Sequence, residues 1–212
     1  MSPPGSVVIF GASSGIGLEL VRLLAARGAP AVAVTRSGSS TALAAAGATV
    51  VAGDVLDRAA VDRVLAGAAP AAAIVSLVGG RPFRSDPPPD WDGNRNLIDA
   101  ARAAGVRRFV LVSSIGAGGS RAAAPWIARL ILGRFMKLKT QAEDYLRLSG
   151  LEWSIVRPGH LTDQPATGRG QLLEDETISG AIARADVAAL VERALQDPGT
   201  IGRTYAAIAR AG

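Results

Sequence analysis

Three glycines near the start of the chain, Gly11, Gly15 and Gly17, follow an apolar run and precede an Ala/Leu-rich run. A strand, a glycine turn and a helix in this order hold a pyrophosphate in dinucleotide-binding folds, where N–H groups at the helix start stabilise the anion. Gly11 would permit the tight turn, Gly15 the approach of the backbone to the phosphates, and Gly17 the close packing of the helix. The other candidate cofactor-binding residues of this loop are Ser13 and Ser14, whose hydroxyls can donate, and Ile16. The loop is therefore predicted to bind a dinucleotide.

The residues after the second apolar run indicate which dinucleotide is bound. An NAD-specific site has an Asp or Glu about twenty residues beyond the loop, where it binds both ribose hydroxyls. This chain has Arg36 and Ser37 at that place. A guanidinium pairs well with a 2′-phosphate, and a serine hydroxyl can donate to it. The prediction is NADP(H) in preference to NAD(H); a solvated surface arginine is the alternative, but it leaves the missing acid unexplained.

The elements that position these residues follow from alternating β-branched and Ala/Leu-rich segments, the pattern of consecutive βα units. The predicted strands are 6–10, 31–35, 48–52, 72–77, 108–113, 152–157 and 203–208. The predicted helices are 15–27, 57–67, 92–104, 125–149 and 184–196, with Gly28, Gly105 and Gly150 as C-terminal caps. With right-handed crossovers this is a single Rossmann-type α/β domain, a doubly wound parallel sheet with helices on both faces.

Two segments, 81–93 and 160–176, interrupt this rhythm. Both follow strand carboxyl ends, where open α/β sheets bind ligands, so they are candidate lids over a substrate. Plain surface loop is the alternative. Residues from about 158 to 212 are then a small substrate-side segment of the domain.

Composition excludes several classes of protein. With 212 residues, of which 49% are hydrophobic and 19% charged, the chain can form one ordered core. The absence of cysteine excludes disulfides, thiolate metal sites and a cysteine nucleophile, and a lone histidine argues against zinc. The net charge of +5 comes from scattered arginines, which disfavours nucleic acid as a partner, and the start of the chain lacks signal-peptide features. The basic helix at 125–149 is expected to pack on the sheet with its cations solvated, although membrane contact is an alternative. We expect a cytoplasmic monomer or homodimer that binds a small-molecule substrate.

Four stretches resemble the short-chain dehydrogenase/reductase superfamily: GASSGIG, GDVLD at 53–57, GNRNLIDAARAAGVRRFVLVSSIGA and SGLEWSIVRPGHLTD. Among its members the chain is most similar to the atypical NAD(P)-binding branch that includes NmrA-like and biliverdin reductase B-like proteins. The resemblance covers nearly the whole chain. The glycine loop is GxxxGxG, as in typical members, rather than the GxxGxxG more usual in that branch.

The resemblance implies roles for individual residues along the cofactor. On the adenosine side, the residues that would flank the adenine, ribose and pyrophosphate are Asp54, Val55, Leu77, Val78 and Gly79. On the nicotinamide side, the residues that would cup the carboxamide are Pro158, Gly159, His160 and Leu161. Lys139 matches the lysine that binds the nicotinamide ribose. One member of the pair Ser113 and Ser114 would be the active-site serine.

The resemblance also has a gap, because typical members carry a tyrosine four residues before the lysine as proton donor. Here that place holds Phe135, and Tyr145 lies about 240° further round the helix from Lys139. The remaining candidate catalytic residues are Ser114, Lys139 and His160, the last being the only side chain whose ordinary pKa lies near neutrality.

Three functions are compatible with these residues. The first is an NADPH-dependent oxidoreductase of an apolar conjugated small molecule, such as a quinone, flavin, enone or tetrapyrrole, which needs no tyrosine acid. The second is a non-catalytic NADP(H)-binding regulator or assembly factor. The third is a redox-neutral isomerase or cyclase on the same scaffold. Nucleotide-sugar epimerisation is disfavoured, because it normally uses the missing tyrosine.

Overall fold

The computed structural model describes residues 5–13, 15–68, 70–80, 88–123 and 126–210, with the backbone alone for 126–131. Its strands are β1 (Ser6–Phe10), β2 (Ala31–Thr35), β3 (Thr49–Ala52), β4 (Ala71–Ser76), β5 (Arg108–Val112), β6 (Glu152–Pro158), β7 (His160–Thr162), β8 (Gly170–Leu173), β9 (Ala181–Ala183) and β10 (Arg203–Ala209). Its α-helices are α1 (Gly15–Ala26), α2 (Thr41–Ala45), α3 (Arg58–Gly67), α4 (Asp92–Ala103), α5 (Trp126–Arg147) and α6 (Arg184–Gln196). Two 3₁₀ turns lie at Gly118–Ala123 and Pro198–Thr200.

Eight strands form one sheet in the order β3-β2-β1-β4-β5-β6-β10-β8. All neighbours pair in parallel except β8, which pairs with β10 in antiparallel fashion at the edge. The chain runs outward from β1 in one direction and from β4 in the other, so the strand order reverses between them. That reversal point is where Rossmann-type sheets bind their ligand, at the carboxyl ends of the strands. The predicted Rossmann-type α/β fold is confirmed.

Helices cover both faces of the sheet, as the alternation of side chains along β1 requires. Val7 and Ile9 belong to a core cluster with the buried faces of α1 and α6. Val8 and Phe10 belong to a second cluster with α3, α4 and Leu146 of α5. Strand β1 is therefore apolar on both sides, in agreement with its continuous apolar sequence.

The segment 160–176 was predicted as a loop or lid, and the structure corrects this. It contains β7 and β8: β7 pairs with β9 in a separate two-stranded sheet, and β8 extends the main sheet. These strands have three or four residues, too short for a periodic pattern to identify. Helix α2 was missed for the same reason, with five residues after the N-cap Ser40.

The other candidate lid, 81–93, lies partly outside the described residues, which resume at Pro88. Its described end is not a surface loop. Pro88 and Asp90 are buried, and α4 already begins at Asp92. This end of the segment is packed into the protein beside β4.

Candidate active site

The glycine loop brings the backbone of β1 and of the turn after β4 into close contact. Gly11 has φ +77°, and a Cβ there would lie 2.9 Å from the carbonyl carbon and oxygen of Leu77. A Cβ at Gly17 would lie 2.3 Å from the carbonyl oxygen of Ala12. Side chains are therefore excluded at both positions, as predicted for a phosphate loop. Ser13 is exposed, and Ser14 lies outside the described residues.

A cavity of about 250 Å³ lies beside this loop, at the carboxyl edge of the sheet. Nine of the residues predicted to bind the cofactor or to act in catalysis line it: Ile16, Leu77, Val78, Ser113, Ser114, Lys139, Pro158, Gly159 and Leu161. Two lining residues were not predicted, Val112 and Arg184. Val112 precedes the serine pair on β5. No sequence motif marks Arg184 as a cavity residue. Its position at the cavity depends on β7 and β9, which are too short to be predicted from the sequence.

The two serines after β5 differ in their hydrogen bonding. The Ser114 hydroxyl donates to the carbonyl of Ile115 at 3.1 Å. The Ser113 hydroxyl is buried and has no hydrogen-bond partner among the described residues, although its backbone N–H donates to Val156 at 2.8 Å. A buried hydroxyl without a partner costs about 1–3 kcal/mol, which a bound ligand can recover. Ser113 is thus the serine whose hydroxyl is available to a ligand in the cavity.

Lys139 is fixed by a carboxylate that sequence patterns did not identify. Its Nζ lies 3.0 Å from Oδ1 of Asp90, which is fully buried, while the lysine side chain is 16% exposed. The other oxygen of Asp90 accepts the N–H of Gly80 at 2.7 Å. A Cβ at Gly79 would lie 3.0 Å from the ammonium, so the absence of a side chain there leaves room for the pair. The ion pair consequently holds the lysine side chain against the cavity wall.

Asp90 is itself held by a buried network that joins α4 to β4. The amide of Asn94 donates to the carbonyl of Asp90 at 2.7 Å, and its oxygen accepts the hydroxyl of Ser76 at 2.6 Å. The same hydroxyl accepts the N–H of Val78, which lines the cavity, at 3.3 Å. This chain of bonds fixes the end of β4 relative to Lys139.

The residues predicted for the 2′-phosphate and the adenine lie at the carboxyl edge but outside the cavity. Arg36 is exposed and forms no ion pair with any described residue. Ser37 is exposed, and its hydroxyl donates to the carbonyl of Ser39 at 3.0 Å. Asp54 is exposed and accepts the N–H of Leu56 at 2.9 Å, and the carbonyl of Val55 accepts the Asn96 amide at 2.9 Å.

The structure does not bring His160 into the cavity. Its side chain is exposed, and its backbone N–H donates to Gly180 at 2.8 Å. Gly159 and Leu161 on either side do line the cavity, because neighbouring residues of a strand point to opposite faces. A general-acid role for His160 is therefore without geometric support.

No phenol lines the cavity among the residues that are described. Phe135 is half-buried one helical turn before Lys139. Tyr145 donates to Asp99 at 2.8 Å and packs edge-on against Trp91 in the core of the other face. The hydrogen bond to Asp99 and, next, desolvation raise the pKa of Tyr145 above its ordinary value. Tyr145 is a packing residue, as expected from its position on the helix.

Two further sequence expectations concern metals and membranes. Within the described ranges, no group of three or more His, Cys, Asp or Glu side chains is arranged to hold a metal ion. In the same ranges, no helix has the length and apolarity needed to cross a membrane.

Comparison with known proteins identifies the family to which the chain belongs. A family model described as NAD(P)H-binding matches residues 11–198. ChuY, an anaerobilin reductase from Escherichia coli O157:H7, is 34% identical in a solved structure, with a TM-score of 0.86 and 98% of each chain covered. Sanguinarine reductase from Eschscholzia californica is 37% identical over 113 residues, 50% of this chain and 40% of that protein. NAD(P)H azoreductase from Xenophilus azovorans is 27% identical over 209 residues, 94% of this chain and 66% of that protein.

For the first curated relatives, the matched parts span 34% to 51% of their own length. The family model, by contrast, spans most of this chain and includes both the glycine loop and every residue that lines the cavity. The resemblance to the atypical NAD(P)-binding branch is therefore confirmed. The chain belongs to the NAD(P)H-binding family of Rossmann-type proteins, and several of the relatives that it matches are named as reductases.

Proposed function

We propose that this chain is an NADPH-dependent reductase of an apolar conjugated small molecule, such as a quinone, flavin, enone or linear tetrapyrrole. The observation that carries the proposal is the buried hydroxyl of Ser113, which has no hydrogen-bond partner in the part of the chain that the structure describes. It lies in a cavity with mainly apolar walls, beside the loop Gly11–Gly17. The relatives named above reduce small molecules, which agrees with this class of reaction.

The glycine loop supports binding of this cofactor, because the absence of a Cβ at Gly11 and Gly17 allows the tight turn and the close packing of the helix start that a phosphate loop needs. The loop Gly11–Gly17 would hold the pyrophosphate, and Arg36 with Ser37 would bind the 2′-phosphate and so select NADPH. Lys139 would bind the nicotinamide ribose. The residues assigned to the adenine are Asp54 and Val55, and those assigned to the nicotinamide are Pro158, Gly159 and Leu161. When bound, NADPH supplies the hydride.

The rest of the chemistry belongs to the chain's own residues. The Ser113 hydroxyl can donate a hydrogen bond to an acceptor oxygen or nitrogen as negative charge develops on it. Because no phenol lines the described cavity, the chain favours acceptors that delocalise this charge and later take a proton from water. Simple ketones, which need a positioned acid, are expected to be poor substrates.

The test is NADPH oxidation against a panel of quinones, flavins, enones and linear tetrapyrroles, with simple ketones as the matched negative set. We expect turnover with at least one conjugated acceptor, a preference for NADPH over NADH, and none with the ketones. Tight NADPH binding without turnover of any acceptor would refute the proposal and favour a non-catalytic cofactor-binding protein.

A further inference from the structure

An ion pair at the edge of the cavity follows from the register of two short strands. β7 and β9 pair in parallel, with Thr162 opposite Ala183. The next residues of the two strands are Asp163 and Arg184, which leave the strands side by side. Nε of Arg184 lies 2.8 Å from Oδ1 of Asp163. The pairing of β7 with β9 therefore fixes the backbone of Arg184 beside that of Asp163.

The stem of Arg184 lies against the phosphate loop. A Cβ at Gly15 would lie 2.8 Å from Cδ of Arg184, so the arginine occupies the space that the glycine leaves open. Arg184 also lines the cavity together with Ile16, Ser113 and Lys139. The guanidinium is thus next to the start of α1, on the side of the loop that faces the cavity.

Arg184 can exchange its ion pair with Asp163 for another anion at little cost in stability. Asp163 is 86% exposed and Arg184 is 33% exposed, and ion pairs so open to water add little stability. Beyond this pair, neither Nη group of Arg184 has a hydrogen-bond partner in the described part of the chain. Lys139 differs, because its counter-charge on Asp90 is fully buried. A phosphate can give the guanidinium two parallel hydrogen bonds, a better match than one exposed carboxylate oxygen.

We propose that Arg184 binds the nicotinamide-side phosphate of the dinucleotide, and that this phosphate replaces Asp163 as the partner of the guanidinium. This inference rests on the proposed cofactor of the same cavity. It adds a cation from α6, at the far end of the chain, to a phosphate site otherwise built from the glycine loop. Gly15 then serves two purposes, since it admits both the phosphate and the arginine stem.

The test compares NADPH with adenosine 2′,5′-bisphosphate, which keeps the adenine and the 2′-phosphate but lacks the nicotinamide-side phosphate. Arg184→Gln keeps a stem of similar length without the charge. We expect it to weaken NADPH binding about tenfold to a hundredfold, the usual effect of losing a charge-assisted hydrogen bond, and to change bisphosphate binding by about twofold or less. Arg184→Lys should recover part of the loss. Asp163→Asn, the matched control, should bind NADPH at least as tightly as the parent protein.

Three outcomes would overturn this inference while the parent protein still binds NADPH. The first is an equal loss for both ligands. The second is unchanged NADPH binding with a raised KM for the acceptor, which would assign Arg184 to a substrate anion. The third is an equal loss of NADPH binding in Asp163→Asn and Arg184→Gln, which would make the pair purely structural. A parent protein that does not bind NADPH would instead overturn the proposed function, and this inference with it.

Discussion

The ammonium of Lys139 lies 3.0 Å from the carboxylate of Asp90, which has no exposed surface. The oxygen that faces the ammonium is Oδ1 of Asp90. It accepts no aligned hydrogen bond from any described residue, so the ion pair is its polar contact there. Removal of either partner leaves a charge at the cavity wall without compensation. The pair therefore links the stability of the fold to the placement of a residue assigned to the cofactor.

This pair predicts strong energetic coupling between Asp90→Asn and Lys139→Met. The free energy of unfolding, measured by chemical denaturation, should give a coupling energy of about 1–3 kcal/mol in a double-mutant cycle. The exposed pair of Glu19 and Arg22 is the control, with a coupling of a few tenths of a kcal/mol, about the value for solvated pairs. Equal coupling energies in the two cycles would show that the burial of Asp90 does not strengthen its interaction with Lys139.

Ser113→Ala should separate function from stability. The hydroxyl has no hydrogen-bond partner among the residues that the structure describes, so the free energy of unfolding should stay the same or rise slightly. The value of kcat/KM should fall about tenfold, because the hydrogen bond to the ligand is lost. Ser154→Ala is the matched control in the same sheet, since its buried hydroxyl donates to Thr200 at 2.7 Å and accepts from Arg108 at 2.8 Å. That variant should lose about 1–3 kcal/mol of stability and keep its kcat/KM. If Ser113→Ala instead loses stability and keeps its kcat/KM, the Ser113 hydroxyl does not contact the ligand.

Arg36→Gln should change which cofactor is preferred. The exposed guanidinium at the end of β2 is assigned to the 2′-phosphate, so NADPH should bind about tenfold to a hundredfold more weakly while NADH binding stays constant. Nucleotide fluorescence titration measures both. Arg107→Gln changes an exposed arginine at the amino end of β5, the opposite edge of the sheet, and should leave both affinities unaltered. A parallel loss of NADPH and NADH affinity in Arg36→Gln would argue against 2′-phosphate recognition.

Tyr145→Phe should leave catalysis unchanged at every pH. Its hydrogen bond to Asp99 should contribute about 0.5–1.5 kcal/mol to stability. The folded-state pKa is raised, so this contribution is complete below the unfolded pKa of about 10 and is lost as the pH rises through the folded pKa. Thermal denaturation of both proteins between neutral and alkaline pH checks the direction. A fall in kcat for Tyr145→Phe would restore a tyrosine to the mechanism.

The fold could be predicted from the sequence because its signals are local. The apolar runs of β1 to β6 and β10 and the helices between them are long enough for their pattern to identify them. Gly28, Gly105 and Gly150 have φ values of 68°, 71° and 78° just after helices, as predicted for caps. Short elements had no such signal, so α2, β7, β8 and β9 were missed.

The cavity was predicted in part, for a related reason. Residues that directly follow strands, such as Leu77 and Ser113, lie in the cavity because all parallel strands end at the same edge. Asp90 and Arg184 depend on contacts between segments far apart in sequence, which no pattern encodes. Hydrogen bonding, rather than sequence position, distinguishes Ser113 from Ser114. The alternation of side chains along β7 excludes His160 from the cavity, and that strand was not detected.

A direct test of hydride transfer uses NADPH deuterated on the reactive carbon of the nicotinamide, mixed with the protein and the best enone or linear tetrapyrrole of the panel, because these acceptors take the hydride on a carbon that does not exchange it with water. We expect deuterium on carbon in the reduced product, with transfer about tenfold slower in Ser113→Ala. Tight binding of the deuterated cofactor with no transfer to any acceptor would contradict the proposed function.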